Sequence, residues 1–149
     1  MKPIIFSTPM VRAILDGRKT MTRRVIKPQP LPDADIHRAS LFDVLHIRDE
    51  IYANKWRSPT IMPREAARIF LRVIDVKVER LQDITPYDAW FEGCRIGNSF
   101  PWEEHKLQQQ CRNVMFKNLW DSLYSKRGYP WESNPWVLVI SFERCETTP

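Results

Sequence analysis

The residues best suited to chemistry cluster early in the chain, in Gly17-Arg18-Lys19-Thr20-Met21-Thr22-Arg23-Arg24. Six cations, Arg12, Arg18, Lys19, Arg23, Arg24 and Lys27, are opposed locally only by Asp16. A charge run of this kind is most often a solvated face, here beside a helix end whose dipole cations complement. The alternation of residue types says more. On an extended strand successive side chains point to opposite faces, so Thr20, Thr22 and Arg24 share one surface. Two hydroxyls beside a guanidinium suit a base edge or a phosphate.

Other chemistries have weaker support. His37, His46 and His105 lie far apart, without His-x3-His, Cys-x2-Cys or Glu-x2-His spacing, so no metal is expected. Cys111 falls on the apolar stripe of a helix and reads as a small core residue; Cys94 and Cys145 make no better case for a nucleophile. Glycines at 17, 93, 97 and 128 are too scattered to form a phosphate loop, which disfavours nucleoside triphosphate hydrolysis. No cofactor is expected.

These groups need elements to position them. Thr8-Pro9 starts a helix that runs to about Asp16, with Met10, Val11, Ile14 and Leu15 as its apolar stripe and Gly17 as its left-handed stop. A strand over Arg18–Lys27 follows, ended by Pro28. Gln29 to Ser40 is a loop, Val44–Arg48 with Ile51–Ala53 a second strand or pair, and Asn54 to Glu65 a long irregular connection. Arg68–Leu81 is the longest strand signal, apolar on both faces and so central or strongly curved. Thr85-Pro86-Tyr87-Asp88 caps a short helix whose last residue is Glu92 and which Gly93 closes. Leu107, Cys111, Val114, Met115, Leu119 and Leu123 recur at helical spacing and predict a helix from about Glu103 to Tyr124. Trp136–Phe142 is a buried strand. The order lacks a regular βαβ alternation, which favours an α+β fold: a small curved sheet or β-barrel with helices capping its ends.

At 149 residues, with 43% hydrophobic and 28% charged residues, one domain spanning 1–149 is expected. No apolar run approaches the roughly 20 residues of a membrane helix. Met1–Phe6 lacks the apolar core and cleavage site of a secretory signal, and three cysteines are a poor disulfide framework, so a cytoplasmic location and no membrane partner are expected. A net charge of +5 leans modestly toward polyanionic partners. Among six tryptophans, Trp120 and Trp136 suit a core, whereas Trp56 and Trp102 sit in loops where stacking on an unpaired base is expected.

Gly17-x-Lys19-x-x-Thr22-x-Arg24 after an apolar helix resembles the signature of the ASCH domain family, a branch of the PUA-like superfamily of small β-barrels. Four further blocks extend the resemblance over nearly the whole chain: Phe6-Ser7-x-Pro9-Met10, Met62-Pro63-Arg64, Arg72 to Ile84, and Leu119-Trp120-Asp121-Ser122 with Asn134-Pro135-Trp136-Val137. In this order they look like the longer ASCH proteins of phages and prophages. The resemblance implies a PUA-like barrel with a cleft beside the Lys19 to Arg24 strand. In small bacterial relatives the motif lysine and threonine, with a glutamate from a later helix, form an amidohydrolase site that deacetylates N4-acetylcytidine. By motif these are Lys19, Thr22 and Glu92. Other relatives bind or cleave RNA.

In that implied site Thr22 attacks the amide carbonyl, Lys19 takes its proton or holds the oxyanion, and Glu92 protonates the departing amine. Bringing a lysine of reference pKa near 10.4 to neutrality near pH 7 takes about 4 kcal/mol, toward which burial and Arg18, Arg23 and Arg24 all push. The implied ligand-binding residues are Arg24, Arg48, Ser7, Arg64 and Trp56. Where relatives carry Gly-Asp-x-Leu-Trp-Val-Arg-Glu, this chain reads Phe42-Asp43-Val44-Leu45-His46-Ile47-Arg48-Asp49, losing a turn glycine and a stacking tryptophan but keeping Arg48. The expected activity is recognition or hydrolysis of a modified pyrimidine nucleoside. The alternatives are a non-catalytic module for single-stranded RNA and a phage accessory protein without catalysis.

Overall fold

A computed structural model of the chain describes residues 2–27, 29, 44–48 and 69–145. Strands β1 (Lys2–Ile5), β2 (Met21–Val25), β3 (Val44–Arg48), β4 (Ile69–Arg80) and β5 (Trp136–Cys145) form one sheet in the order β1-β3-β4-β5-β2. β1 runs parallel to β3, and the remaining pairings are antiparallel. Helices α1 (Thr8–Leu15), α2 (Pro86–Phe91), α3 (His105–Gln110) and α4 (Lys117–Tyr124) complete the mixed α+β architecture.

β5 carries the core on both faces because its apolar run is continuous. Val137 and Val139 point one way, into a cluster with Leu81, Ile84, Trp90, Phe116 and Trp120. Ile140 and Phe142 point the other way, against Phe6, Val11 and Ile14 from the α1 side and Ile69 and Leu71 of β4. β4 is central, as its two-faced pattern predicts. Its register against β5 shifts between Val73 and Asp75, leaving Ile74 unmatched and 61% exposed, and such a bulge bends the strand.

The sheet does not close into the expected barrel. Among the described residues β1 and β2 stay at opposite edges, and a side chain links them: the Arg24 guanidinium donates to the Ile5 carbonyl at 2.6 Å. With a side chain instead of a backbone ladder spanning the gap, the seam stays open.

Two further details depart from the sequence pattern. The N-cap of α1 is Ser7, one residue before the expected Thr8, and its side chain makes no capping bond. The expected helix over 103–124 is interrupted by a wide π-helical turn at Cys111–Phe116 between α3 and α4. A π turn absorbs one extra residue, so the buried stripe reads Cys111, Phe116, Trp120, Tyr124, whereas Val114 and Leu123 are exposed. The cap of α2 is as read: Asp88 N–H donates to Thr85 Oγ1 at 3.0 Å, and Gly93 ends the helix at φ 95°. No helix among the described residues is long and apolar enough to cross a membrane.

Candidate functional site

Lys19 is fixed from both sides by backbone bonds. Its N–H donates to Ala13 O of α1 and the Thr20 N–H donates to Phe91 O at the end of α2, each at 3.0 Å. This clamp sets Lys19 against the C-terminus of α2. There Lys19 Nζ donates to Glu92 Oε2 at 2.6 Å and to the Glu92 carbonyl at 3.0 Å, a place where a helix end favours a cation. Gly93 ends the helix beside it at a φ of 95° that suits glycine, and a Cβ there would meet Lys19 Cβ at an ordinary contact distance of 3.6 Å. Both partners are 3% exposed.

Glu92 is held a second time, by a residue the sequence reading did not place in the site. Arg23 Nη1 donates to Glu92 Oε1 at 3.2 Å, while its Nη2 reaches Glu79 at 2.6 Å and Asp88 at 2.9 Å. Arg23 pairs across the sheet with Val139 and, beyond it, Lys77, which puts it on the face of Glu79 and opposite to Thr22. Lys77 lies 3.0 Å from Glu79, so three cations and three carboxylates balance in one connected network. Strand period alone gives Arg23 a face opposite to Thr22 but not the acids that cover it.

Burial pushes the Lys19 pKa below its ordinary value; Glu92 opposes this and Arg24 adds to it. Burial also works against the charge on Arg23, but Glu92, Glu79 and Asp88 outweigh it and raise its pKa. Burial, then the Glu92 charge, push the Cys94 thiol up to about 12, which leaves it inert as a nucleophile.

A cleft of about 420 Å³ opens along this cluster. Thr22, Arg23 and Arg24 all line it, although successive strand residues face opposite ways. That is possible because the cleft follows the unpaired edge of β2, at the seam where the sheet fails to close. Its polar side is Lys19, Thr22, Arg23, Arg24 and Glu92; its apolar side includes Phe6, Met10, Phe116, Trp120 and Tyr124. Thr22 is 4% exposed, Arg24 is half-buried and Arg127, which also lines the cleft, is exposed.

Of the residues expected from sequence, Lys19, Thr22, Glu92, Arg24 and Ser7 therefore meet around one hollow. Arg48 pairs with Ile5 of β1 in the backbone register, and its side chain is outside what the structure describes. Arg64 and Trp56 lie outside the described residues. Trp102 is 70% exposed and packs on Phe100 and Tyr87 without lining the cleft. Cys94, Cys111 and Cys145 are free thiols. Among the described residues no group of His, Cys, Asp or Glu is arranged to hold a metal ion. Chemically, the cleft offers an amine of lowered pKa joined to a carboxylate, a hydroxyl in the same hollow, and aromatic surface for a planar ligand.

No family model matches the chain, and no curated protein matches it. Among solved structures it is similar to the ASCH domain from Lactobacillus crispatus JV V101, at 12% identity and a TM-score of 0.44, over 91% of this chain and 70% of that one. It is also similar to a DUF984 protein from Enterococcus faecalis V583, at 14% identity and a TM-score of 0.46, over 90% of this chain and 65% of that one.

Proposed function

We propose that the protein hydrolyses the exocyclic amide of an N4-acylated cytidine in the seam cleft. The observation that carries this reading is the buried 2.6 Å contact between Lys19 and Glu92 beside Thr22 in a hollow of ligand size. Thr22 Oγ1 adds to the acyl carbonyl, and the neutral form of Lys19 takes the hydroxyl proton as the bond forms. The resulting ammonium is held by Glu92, and the Lys19–Glu92 pair returns a proton to the nitrogen as cytidine leaves. Water then cleaves the threonine ester, giving the free acid and restoring the hydroxyl. Arg24 and the aromatic side of the cleft orient the pyrimidine.

The test is to incubate the purified protein with N4-acetylcytidine and follow cytidine and acetate by chromatography. Turnover by wild type that is lost in Thr22→Val supports the reading. Wild type inert toward a panel of N4-acylated cytidines overturns it.

A further inference from the structure

We infer that the natural occupant of the cleft is a pyrimidine nucleotide, bound through its phosphate as well as its base. For the base this rests on the reading above; for the phosphate it rests on a separate comparison of charges.

Two of the cations lining the cleft are answered within the protein: Lys19 by Glu92, and Arg23 by Glu92, Glu79 and Asp88. Two are not. Arg24 donates through Nη2 to the neutral Ile5 carbonyl and lies 5.0 Å over the Phe6 ring, and its Nε is buried without a hydrogen-bond partner. Buried N–H groups are seldom left unpaired, so this one points to an acceptor that arrives with a ligand. The Arg127 guanidinium lies 5.7 Å over the Tyr124 ring, itself part of the cleft wall, and pairs with no acid among the described residues. The cleft therefore presents two guanidinium groups that no acid among the described residues opposes.

Exposure rises from Lys19 through Arg24 to Arg127, so a ligand whose reacting end reaches Lys19 passes Arg24 and has its outer end nearest the exposed Arg127. A planar guanidinium fits phosphate oxygens better than it fits a neutral ribose. About 420 Å³ is within the range of sites that enclose one small ligand, which suits a single nucleotide and not a duplex.

Titrations of the full chain with cytidine, cytidine 5′-monophosphate, cytidine 3′-monophosphate and pentacytidylate, read by calorimetry, test this. The expected result is that one or both monophosphates bind about tenfold tighter than cytidine at low salt, with the gap narrowing as salt is raised. Arg127→Ala should bring the nucleotides to within about twofold of cytidine, and Arg127→Lys should keep part of the gap. A preference for the 5′-phosphate assigns the site to a free nucleotide or a 5′ end; pentacytidylate matching the 3′-phosphate assigns it to a nucleotide within RNA. Either upholds the phosphate contact. Equal affinities, or no binding by any of the four, overturn it. The titration does not depend on turnover. A protein inert toward acylated cytidines that still prefers nucleotides keeps the phosphate site and loses the reaction. Turnover with no such preference does the reverse.

Discussion

The Lys19 ammonium and the Glu92 carboxylate, 73 positions apart in the chain, meet at 2.6 Å inside the protein, and the same ammonium also bonds the Glu92 carbonyl. The pair is not symmetrical. Glu92 has a second cation in Arg23, whereas Lys19 has no second acid among the described residues. Glu92 is thus the shared anion of two buried cations, and its loss leaves both under-compensated.

That asymmetry orders the stability of two variants. Breaking a buried ion pair by removing one member costs roughly 3–5 kcal/mol, because the other charge stays buried. Lys19→Met leaves Glu92 with Arg23, whereas Glu92→Gln strips both cations of their common partner. Urea unfolding at constant m-value should place Glu92→Gln below Lys19→Met, and both below wild type. The opposite order would deny that Glu92 is the centre of the network.

Thr22 should matter for turnover more than for folding. Thr22→Val keeps the shape and removes the nucleophile, so hydrolysis of N4-acetylcytidine should fall at least about a thousandfold with little change in melting temperature. Thr22→Ser, which keeps a hydroxyl, should retain a measurable share of the rate. Full activity in Thr22→Val would remove the hydroxyl from the mechanism.

The lowered Lys19 pKa sets the direction of a pH profile. A base works in its neutral form, so kcat/KM should rise with pH through a midpoint below the ordinary lysine value of 10.5. Arg24 contributes to the lowering, so Arg24→Ala should move the midpoint upward. Between the folded and unfolded pKa values the unfolded chain holds more protons on this lysine, so its contribution to stability rises with pH across that window. A profile with no rise anywhere below pH 10.5, acid range included, would exclude Lys19 as the base.

Gly93→Ala should destabilise the fold by about 1–3 kcal/mol through backbone strain, since φ is 95° and the new Cβ would meet Lys19 and Ala13 only at ordinary contact distances of 3.6 and 3.7 Å. Thermal unfolding measures this. A variant as stable as wild type would show that the turn relaxes freely.

What could be read from the sequence was local. Thr85 and Asp88 cap α2 within four residues, Gly93 ends it, and the apolar runs of β4 and β5 show both strands to within a few residues. The Lys19–Glu92 meeting was legible only through the family resemblance, because no spacing rule connects groups 73 positions apart. Arg23 was missed because strand period assigns it a face without saying what covers that face. Closure of the sheet was misjudged because composition does not specify whether edge strands meet by backbone or, as at Arg24 and Ile5, by a side chain.

The wide turn at Cys111–Phe116 makes the aromatic wall unequally tolerant of length change. Removing one residue there would let ordinary winding resume with Phe116, Trp120 and Tyr124 still turned inward. Adding one would swing everything downstream by about 100° and put different side chains against the ligand. Shortening at this place should be nearly silent, while lengthening should redraw ligand preference and leave the amine, hydroxyl and carboxylate where they are.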